Sequence, residues 1–397
     1  MKIGVLKETL PGERRVALVP GSVAMLAKAG LAVVLETGAG EDAGFPDELY
    51  KDQGASIASR AEVFAASDLI VQVRTLGANP GAGRADLGRF RPGQAVVGLT
   101  DPLSAPEAAR DLAGTGVMLF SMELMPRVTR AQTMDVLSSM STISGYKAVL
   151  LAATTFHRMF PMSMTAAGTI SPARVFVIGA GVAGLQAVAT ARKLGAVVHA
   201  YDVRPAVKEQ VQSLGAKFVE MALDPADAQD AGGYAKALGE DFYRRQRELM
   251  TKVVAENDIV ITTALVPGKK APILITEEMV KGMPPGSVVV DLAAEKGGNC
   301  EITEPDRTVV KHRVTILGPT NLPATVPYHA SQMYGRNVTT FLLHIVKEGR
   351  IVLNMEDDIT RETLVTRDGK VVHARTLELL GEAPVQTAAP AGERRDA

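Results

Sequence analysis

The chain has 397 residues, of which 46% are apolar and 22% charged. That is an ordinary globular composition, with room for two or three domains at about 150 residues each. Lys plus Arg number 43 against 44 Asp plus Glu, so the net charge of −1 offers no basic footprint for nucleic acid or an anionic membrane face. The single cysteine, Cys300, excludes an internal disulfide framework and fits a reducing compartment.

The chain reaches Lys7 and Glu8 before any long apolar run, which is not the pattern of a secretory signal. The longest apolar region, residues 175–200, is broken by Arg192, Lys193 and glycines. No uninterrupted stretch is therefore expected to approach the roughly 20 residues of a spanning helix. In chain order, residues 3–6, 33–36, 69–73, 95–99 and 117–120 read as strands, with a helix over 21–29 closed by Gly30. These runs are mostly continuous in apolar residues rather than alternating, the mark of strands buried on both faces of a parallel sheet. Residues 77–93, rich in Gly, Pro and Ala, read as a loop. Residues 133–160 read as one long helix, able to join two domains and ended by Pro161. A second α/β series follows, with strands at 175–178, 197–200, 259–262, 288–291 and 314–317. Within it, the polar, Gly- and Asp-rich stretch 221–236 reads as a long mobile loop. Residues 328–346 are helical again, and 381–397 read as a disordered tail.

The strongest motif is Gly179-Ala180-Gly181-Val182-Ala183-Gly184, a G-x-G-x-x-G between an apolar strand and a helix pattern. Gly179 serves the tight turn, Gly181 the approach of a pyrophosphate, and Gly184 the packing of helix on strand. The helix N-terminus supplies free N–H groups to phosphate. Asp202 follows the next strand about 20 residues on, where a carboxylate bonds a ribose 2′-OH and repels a 2′-phosphate. NAD is thereby favoured over NADP, although Arg204 is of the type that accepts a 2′-phosphate.

Other candidates are weaker. Ser138, Ser139 and Ser141 lack a G-x-S-x-G frame. The six histidines show no metal-ligand spacing, His199 reads as structural, and no metal is expected. Asp291 and Glu295 close a strand at the expected cofactor edge, where a site role and helix capping are both open. Arg127, Gln132 and Asp135 fall between the two series, a favoured place for a ligand pocket. Taken alone they are equally readable as capping and surface residues.

Several ordered segments then carry a resemblance over nearly the whole chain, to about Leu380. They are Lys7-Glu8 with Pro11-Gly12-Glu13 and Arg15-Val16-Ala17; Met122-Glu123-Leu124-Met125-Pro126-Arg127; Met164-Thr165-Ala166-Ala167-Gly168-Thr169; the glycine fingerprint with Tyr201-Asp202-Val203-Arg204; Gly232-Gly233-Tyr234-Ala235-Lys236; Ile261-Thr262-Thr263-Ala264-Leu265-Val266-Pro267-Gly268; and Gly297-Gly298-Asn299-Cys300. The chain resembles the soluble NAD(H)-binding part, the alpha subunit, of proton-translocating NAD(P) transhydrogenases, which are related to alanine dehydrogenases. The resemblance implies an α/β fold of two Rossmann-like doubly wound lobes joined by long helices, with the cofactor in the cleft between them. The expected lobes are residues 1–135 with 328–380, where C-terminal helices return to the first lobe, and residues 136–327.

By the same resemblance Arg127, Gln132 and Asp135 position the nicotinamide and its ribose, Asp202 binds the adenosine ribose, and Tyr234 lies on a loop that closes over nucleotide. The expected cofactor-binding set adds Ser138, Gly179, Gly181, Val182, Gly184, Val203, Arg204, Gly233, Ala264 and Leu265. The implied reaction is direct hydride transfer between NADH and NADP+ held on a partner subunit, of the Si-specific/Re-specific type. Such transfer needs proximity and orientation, not an acid or base. The implied partners are a second copy in a homodimer, an NADP(H)-binding beta subunit and membrane-spanning subunits that couple proton translocation. That places the chain in the cytoplasm, peripheral at the inner face of the cytoplasmic membrane. The alternative is a stand-alone dehydrogenase of the alanine type. Such enzymes bind pyruvate with a lysine and a histidine and use an aspartate near the cofactor. Here Val71-Gln72-Val73-Arg74, Gly98-Leu99-Thr100-Asp101 and Glu295 stand in those regions.

Overall fold

The structure, a computed structural model, describes residues 1–220, 240–265 and 268–383. The stretch 221–236 expected as a mobile loop lies outside the described residues, with Gly233 and Tyr234; so does the tail from 384. The chain divides into two compact units, one built from Met1–Val136 and the chain from Pro327 on, the other from Leu137–Val326.

The first unit opens with β1 (Lys2–Val5), β2 (Ala32–Glu36), β3 (Ser56–Ala58), β4 (Leu69–Arg74), β5 (Ala95–Leu99) and β6 (Met118–Ser121). The second unit carries a small hairpin of β7 (Ser163–Thr165) and β8 (Gly168–Ile170). Its main sheet then takes β9 (Arg174–Ile178), β10 (Val197–Tyr201), β11 (Lys217–Phe218), β12 (Ile259–Thr262), β13 (Val288–Asp291), β14 (Thr308–Lys311) and β15 (Val314–Leu317). Back in the first unit come β16 (Val346–Lys347) and β17 (Arg350–Ile351), a short pair, then β18 (Leu364–Arg367) and β19 (Lys370–Val371).

Both sheets are doubly wound. The first runs β19-β18-β6-β5-β4-β1-β2-β3, and the second β11-β10-β9-β12-β13-β15-β14. In each, the parallel strands turn outward in both directions from a first strand, β1 or β9, the order of dinucleotide-binding sheets. The antiparallel members are β14, which pairs with β15, and β18 and β19, which extend the sheet from β6. The return to the first unit thus brings strands as well as helices.

Continuous apolar strands fit this burial. In β9, Val175 and Val177 pack with Ala187 and Val188 of the fingerprint helix, while Phe176 and Ile178 pack on the other face with Met250 and Val254. Helix starts follow local chemistry. The Pro20–Lys28 helix begins on a proline, whose missing N–H costs nothing there. Before Arg60–Ala66, the Ser59 Oγ accepts from the Glu62 N–H, and the Glu62 carboxylate accepts from the Ser59 N–H at 2.8 Å.

Three expectations need correction. Residues 77–93 are not a plain loop, because 3-10 turns span Leu76–Ala78 and Ala82–Arg89. The long helix is shorter than its pattern: a 3-10 turn occupies Thr129–Met134, and the α-helix runs Val136–Thr155. That helix, 20 residues long with an 18-residue window of mean hydropathy 1.2, is long and apolar enough to cross a membrane by length and composition. Serines and threonines interrupt its apolar run, which is why no spanning stretch stands out in the sequence. Ala148, Val149 and Ala152 are fully buried in the core of the second unit, although only 39% of that window is buried.

Candidate functional site

In the second unit the strands end in one row. Ile178 is in register with Tyr201 and with Thr262, and Thr262 with Asp291. The residues that follow, the 179–184 turn, Asp202–Arg204 and Thr263–Leu265, therefore share the carboxyl edge at the switch point of the sheet, where such folds bind ligands. Gly179, Gly181, Val182, Gly184, Asp202, Val203, Arg204, Ala264 and Leu265 are brought together there.

The turn has the geometry its glycines suggest. Gly179 has φ of 94°, open to glycine and strained for other residues. The Gly179 carbonyl accepts from Thr263 Oγ1 at 3.0 Å. A Cβ on Gly184 would stand 2.8 Å from the carbonyl carbon of Gly179 and nearer still to its oxygen, so helix and turn touch backbone to backbone. A Cβ on Gly181 would meet nothing within 4 Å. Gly181 precedes the Val182–Lys193 helix, whose first N–H groups face the same edge. These features fit a dinucleotide pyrophosphate.

Asp202 is 9% exposed, and its carboxylate accepts from the Ala180 N–H at 2.7 Å. It also accepts from the Arg204 N–H, Nε and Nη2, each at 2.9 Å. Hydrogen bonding to Asp202 holds the Arg204 guanidinium above its ordinary pKa against partial burial. Arg204 is thus committed to Asp202, which lessens its claim on a 2′-phosphate.

Two buried side chains hold this edge, Asn299, to which the sequence assigned no role, and Asp291. Asn299 is fully buried. Its Oδ1 accepts from the Ala264 N–H at 3.0 Å, and its Nδ2 donates to the carbonyls of Ala264 and Pro272 at 2.8 and 2.9 Å. Asp291, left open above between ligand contact and capping, is also fully buried. It accepts from the N–H of Ala293, Asn299 and Cys300 and from the hydroxyls of Thr262 and Thr303, at 2.7–3.0 Å. Five donors on one carboxylate make it the tie between two loops rather than a ligand contact.

In the first unit, Arg127 and Gln132 are exposed and Asp135 is half-buried, on and beside the Thr129–Met134 turn. Ser138 lies in the first turn of the Val136–Thr155 helix in the second unit. Gly233 and Tyr234 lie outside the described residues. The carboxyl edge of the first sheet carries a charge cluster in which Glu13 and Arg15 are buried and Glu8 and Glu123 half-buried. Glu8 accepts from the N–H of Val73 and Arg74 at 2.6 and 3.1 Å, yet burial, with Glu13 nearby, pushes it up to about 8. Glu13 and Arg15 form a two-point ion pair at 2.6 and 2.7 Å. Glu123 accepts from the Thr100 N–H and Ser121 Oγ, both at 2.6 Å, and from the Asp101 N–H; burial raises it as well. In the linear sequence these are ordinary polar residues, and only tertiary packing hides them.

A cavity of about 750 Å³ lies beside Phe156, His157, Phe160, Pro161 and Lys193. It adjoins the C-terminal end of the fingerprint helix, about 18 Å along the axis from the glycine turn, and is not the nucleotide edge. Among the described residues, no group of three or more His, Cys, Asp or Glu is placed to hold a metal ion.

Two domain models cover this architecture: alanine dehydrogenase/PNT, N-terminal domain, over residues 4–144, and alanine dehydrogenase/PNT, C-terminal domain, over residues 148–374. The chain belongs to the alanine dehydrogenase/PNT family. Within that family it is similar to an NAD(P) transhydrogenase subunit alpha chain of Rhodospirillum rubrum, at 47% identity over 378 residues, covering 94% of this chain and 98% of the relative. The solved transhydrogenase of Sinorhizobium meliloti superposes with a TM-score of 0.81 at 43% identity, covering 94% of this chain and 99% of that one. Alanine dehydrogenases are more distant family members. That of Bacillus subtilis is 32% identical over 391 residues, covering 96% of this chain and 95% of the relative.

Proposed function

We propose that this chain is the NAD(H)-binding alpha subunit of a proton-translocating transhydrogenase, of the Si-specific/Re-specific type. The observation that carries the reading is the glycine turn with Asp202 at the switch point, in a chain nearer in sequence to transhydrogenase subunits than to alanine dehydrogenases. The pyrophosphate is assigned to Gly181 and the first turn at Val182, with Gly184 fixing the helix behind them. The adenosine ribose is assigned to Asp202, beside Val203 and Arg204, and the remaining edge to Ala264 and Leu265, held by Asn299. Arg127, Gln132 and Asp135, with Ser138, are assigned the nicotinamide end; Gly233 and Tyr234 are assigned the closing loop.

When bound, NADH supplies a hydride from its nicotinamide C4 to that of NADP+ on a partner subunit, leaving NAD+ and NADPH. The protein's own work is then to bind and orient, since most of the rate comes from holding the two rings at reacting distance. The partners in this reading are a second copy of the chain, an NADP(H)-binding beta subunit and membrane-spanning subunits that couple proton movement. They hold the chain at the inner face of the cytoplasmic membrane.

The test starts with the purified chain. It should bind NADH and leave it unconsumed with pyruvate and ammonium, then transfer hydride once the NADP(H)-binding subunit is added. Rapid consumption with pyruvate and ammonium would establish alanine dehydrogenase chemistry instead. Gln132→Asn and Asp135→Asn should each slow transfer while changing NADH affinity modestly. Parent rates in both variants would remove the nicotinamide role from this turn.

A further inference from the structure

The turn that carries Gln132 is gripped by the returning C-terminal chain, through a charge-assisted pair and a part-buried hydrogen bond. Arg130 Nη1 donates to Asp357 Oδ1 at 2.5 Å, and its Nη2 meets Asp358. The Asp357 side chain is only 9% exposed. Its Oδ2 also accepts from the Thr360 N–H and Oγ1, both at 2.9 Å, and pairs with His344 Nε2 at 2.8 Å. Burial works to raise Asp357, but hydrogen bonds from His344, Thr360 and Arg130 outweigh it and hold the carboxyl well below the usual range. Three residues along the turn, Asn337 Nδ2 of the Pro327–Ile345 helix donates to the Thr133 carbonyl at 2.8 Å.

Gln132 is exposed between these two anchors, while Ala131 and Met134 are buried. A 3-10 turn of six residues has poor internal hydrogen-bond geometry and is weakly self-supporting. Its rigidity must come from what holds it, and two of those attachments fall on residues either side of Gln132.

We propose that Arg130, Asp357 and Asn337 are positioning residues for hydride transfer: the C-terminal segment clamps the nicotinamide-holding turn through the Arg130–Asp357 pair and the Asn337–Thr133 bond. The proposal rests on the nicotinamide reading above. Loss of the clamp gives the turn slack, and slack acts on ring placement, so the rate of transfer falls while most of the nucleotide contacts stay intact.

The experiment uses the full chain assembled with its NADP(H)-binding partner. It compares single-turnover hydride transfer with NADH affinity measured by nicotinamide fluorescence on the same preparations. Arg130→Ala is the main variant, because Arg130 is half exposed and its truncation spares the core. Asp357→Asn keeps a side chain able to cap the Asp358–Thr363 helix and loses the charge. Arg130→Ala should slow transfer roughly 10- to 100-fold, the scale of an ångström of misplacement, with NADH affinity nearly unchanged. Arg130→Lys, which restores one charged contact, should recover part of the rate. The Arg130→Ala, Asp357→Asn double variant should be no slower than the slower single variant. A parent rate in Arg130→Ala, with transfer slowed in Gln132→Asn, would overturn the clamp and leave the nicotinamide reading standing. Parent rates in Gln132→Asn and Asp135→Asn as well would bring down that reading and the clamp with it.

Discussion

Two glycines of one turn should fail in different ways. A methyl group at Gly184 would lie 2.8 Å from the Gly179 carbonyl carbon, against 3.4 Å for ordinary contact. The helix must therefore retreat by at least about 0.6 Å, more to clear the oxygen. Overpacking of this kind costs about 1–3 kcal/mol, or roughly 2–12 °C in the melting temperature of a domain this size. Retreat also misaligns the N–H groups offered to phosphate, and a hydrogen bond to a charged group contributes about 1.5–3 kcal/mol. NADH should then bind roughly 10- to 150-fold more weakly. At Gly181 a methyl group meets no protein atom and the backbone is extended, with φ −75° and ψ −167°. Gly181→Ala should melt with the parent yet bind NADH at least about tenfold more weakly, because only the ligand opposes the methyl group. Differential scanning calorimetry without ligand, paired with NADH fluorescence titration, separates the two effects. If Gly181→Ala bound NADH with parent affinity, the pyrophosphate would not cross this turn as assigned.

The remaining predictions concern selectivity, a loop tie and pH. Asp202→Ser should weaken NADH and strengthen NADPH, since it removes the carboxylate and frees Arg204; unchanged preference in parallel titrations would move the ribose elsewhere. Asn299→Ala should leave three backbone groups without their present partner, cost about 1–3 kcal/mol and weaken NADH together with stability; a loss of stability with full NADH affinity would take Ala264 out of the site. Glu8 is raised to about 8 in the fold, above its value near 4.5 when exposed. Between those values the folded state holds a proton that the unfolded chain has lost. Glu8 therefore contributes stability that is fully present below about pH 4.5 and lost as pH rises to about 8, with a slope of at most about 1.4 kcal/mol per pH unit. Glu8→Gln should flatten the decline in melting temperature over that window, and parallel curves for parent and variant would contradict the protonated assignment.

Much of the parallel fold was legible because strands buried on both faces leave a nearly continuous apolar run, as in β4, β5, β12 and β13. What was illegible lay at sheet edges. β3 has three residues, none buried, and β14 alternates Thr308, Val309, Val310 and Lys311 with Val310 at 70% exposure. β18 and β19 depend on pairing with a strand far away in sequence. The nucleotide edge was legible where chemistry is local: the glycine turn, and an acid at the end of the next strand. Asn299, Asp291 and Asp357 act through bonds to backbone or side chains 12 to 227 residues distant. No spacing rule connects Arg130 to Asp357, or Glu8 to the N–H groups of β4.

The pairing of Leu119 with Thr366 in β6 and β18 spans 247 residues. A ribosome adding about 5–20 residues per second leaves that edge of the first sheet uncovered for roughly 12–50 s, while the contiguous second unit has all it needs to fold in between. An open edge is a template for pairing with other chains. The order of synthesis thus places the hazard on the first unit, and shortening the chain before Leu364 would make it permanent.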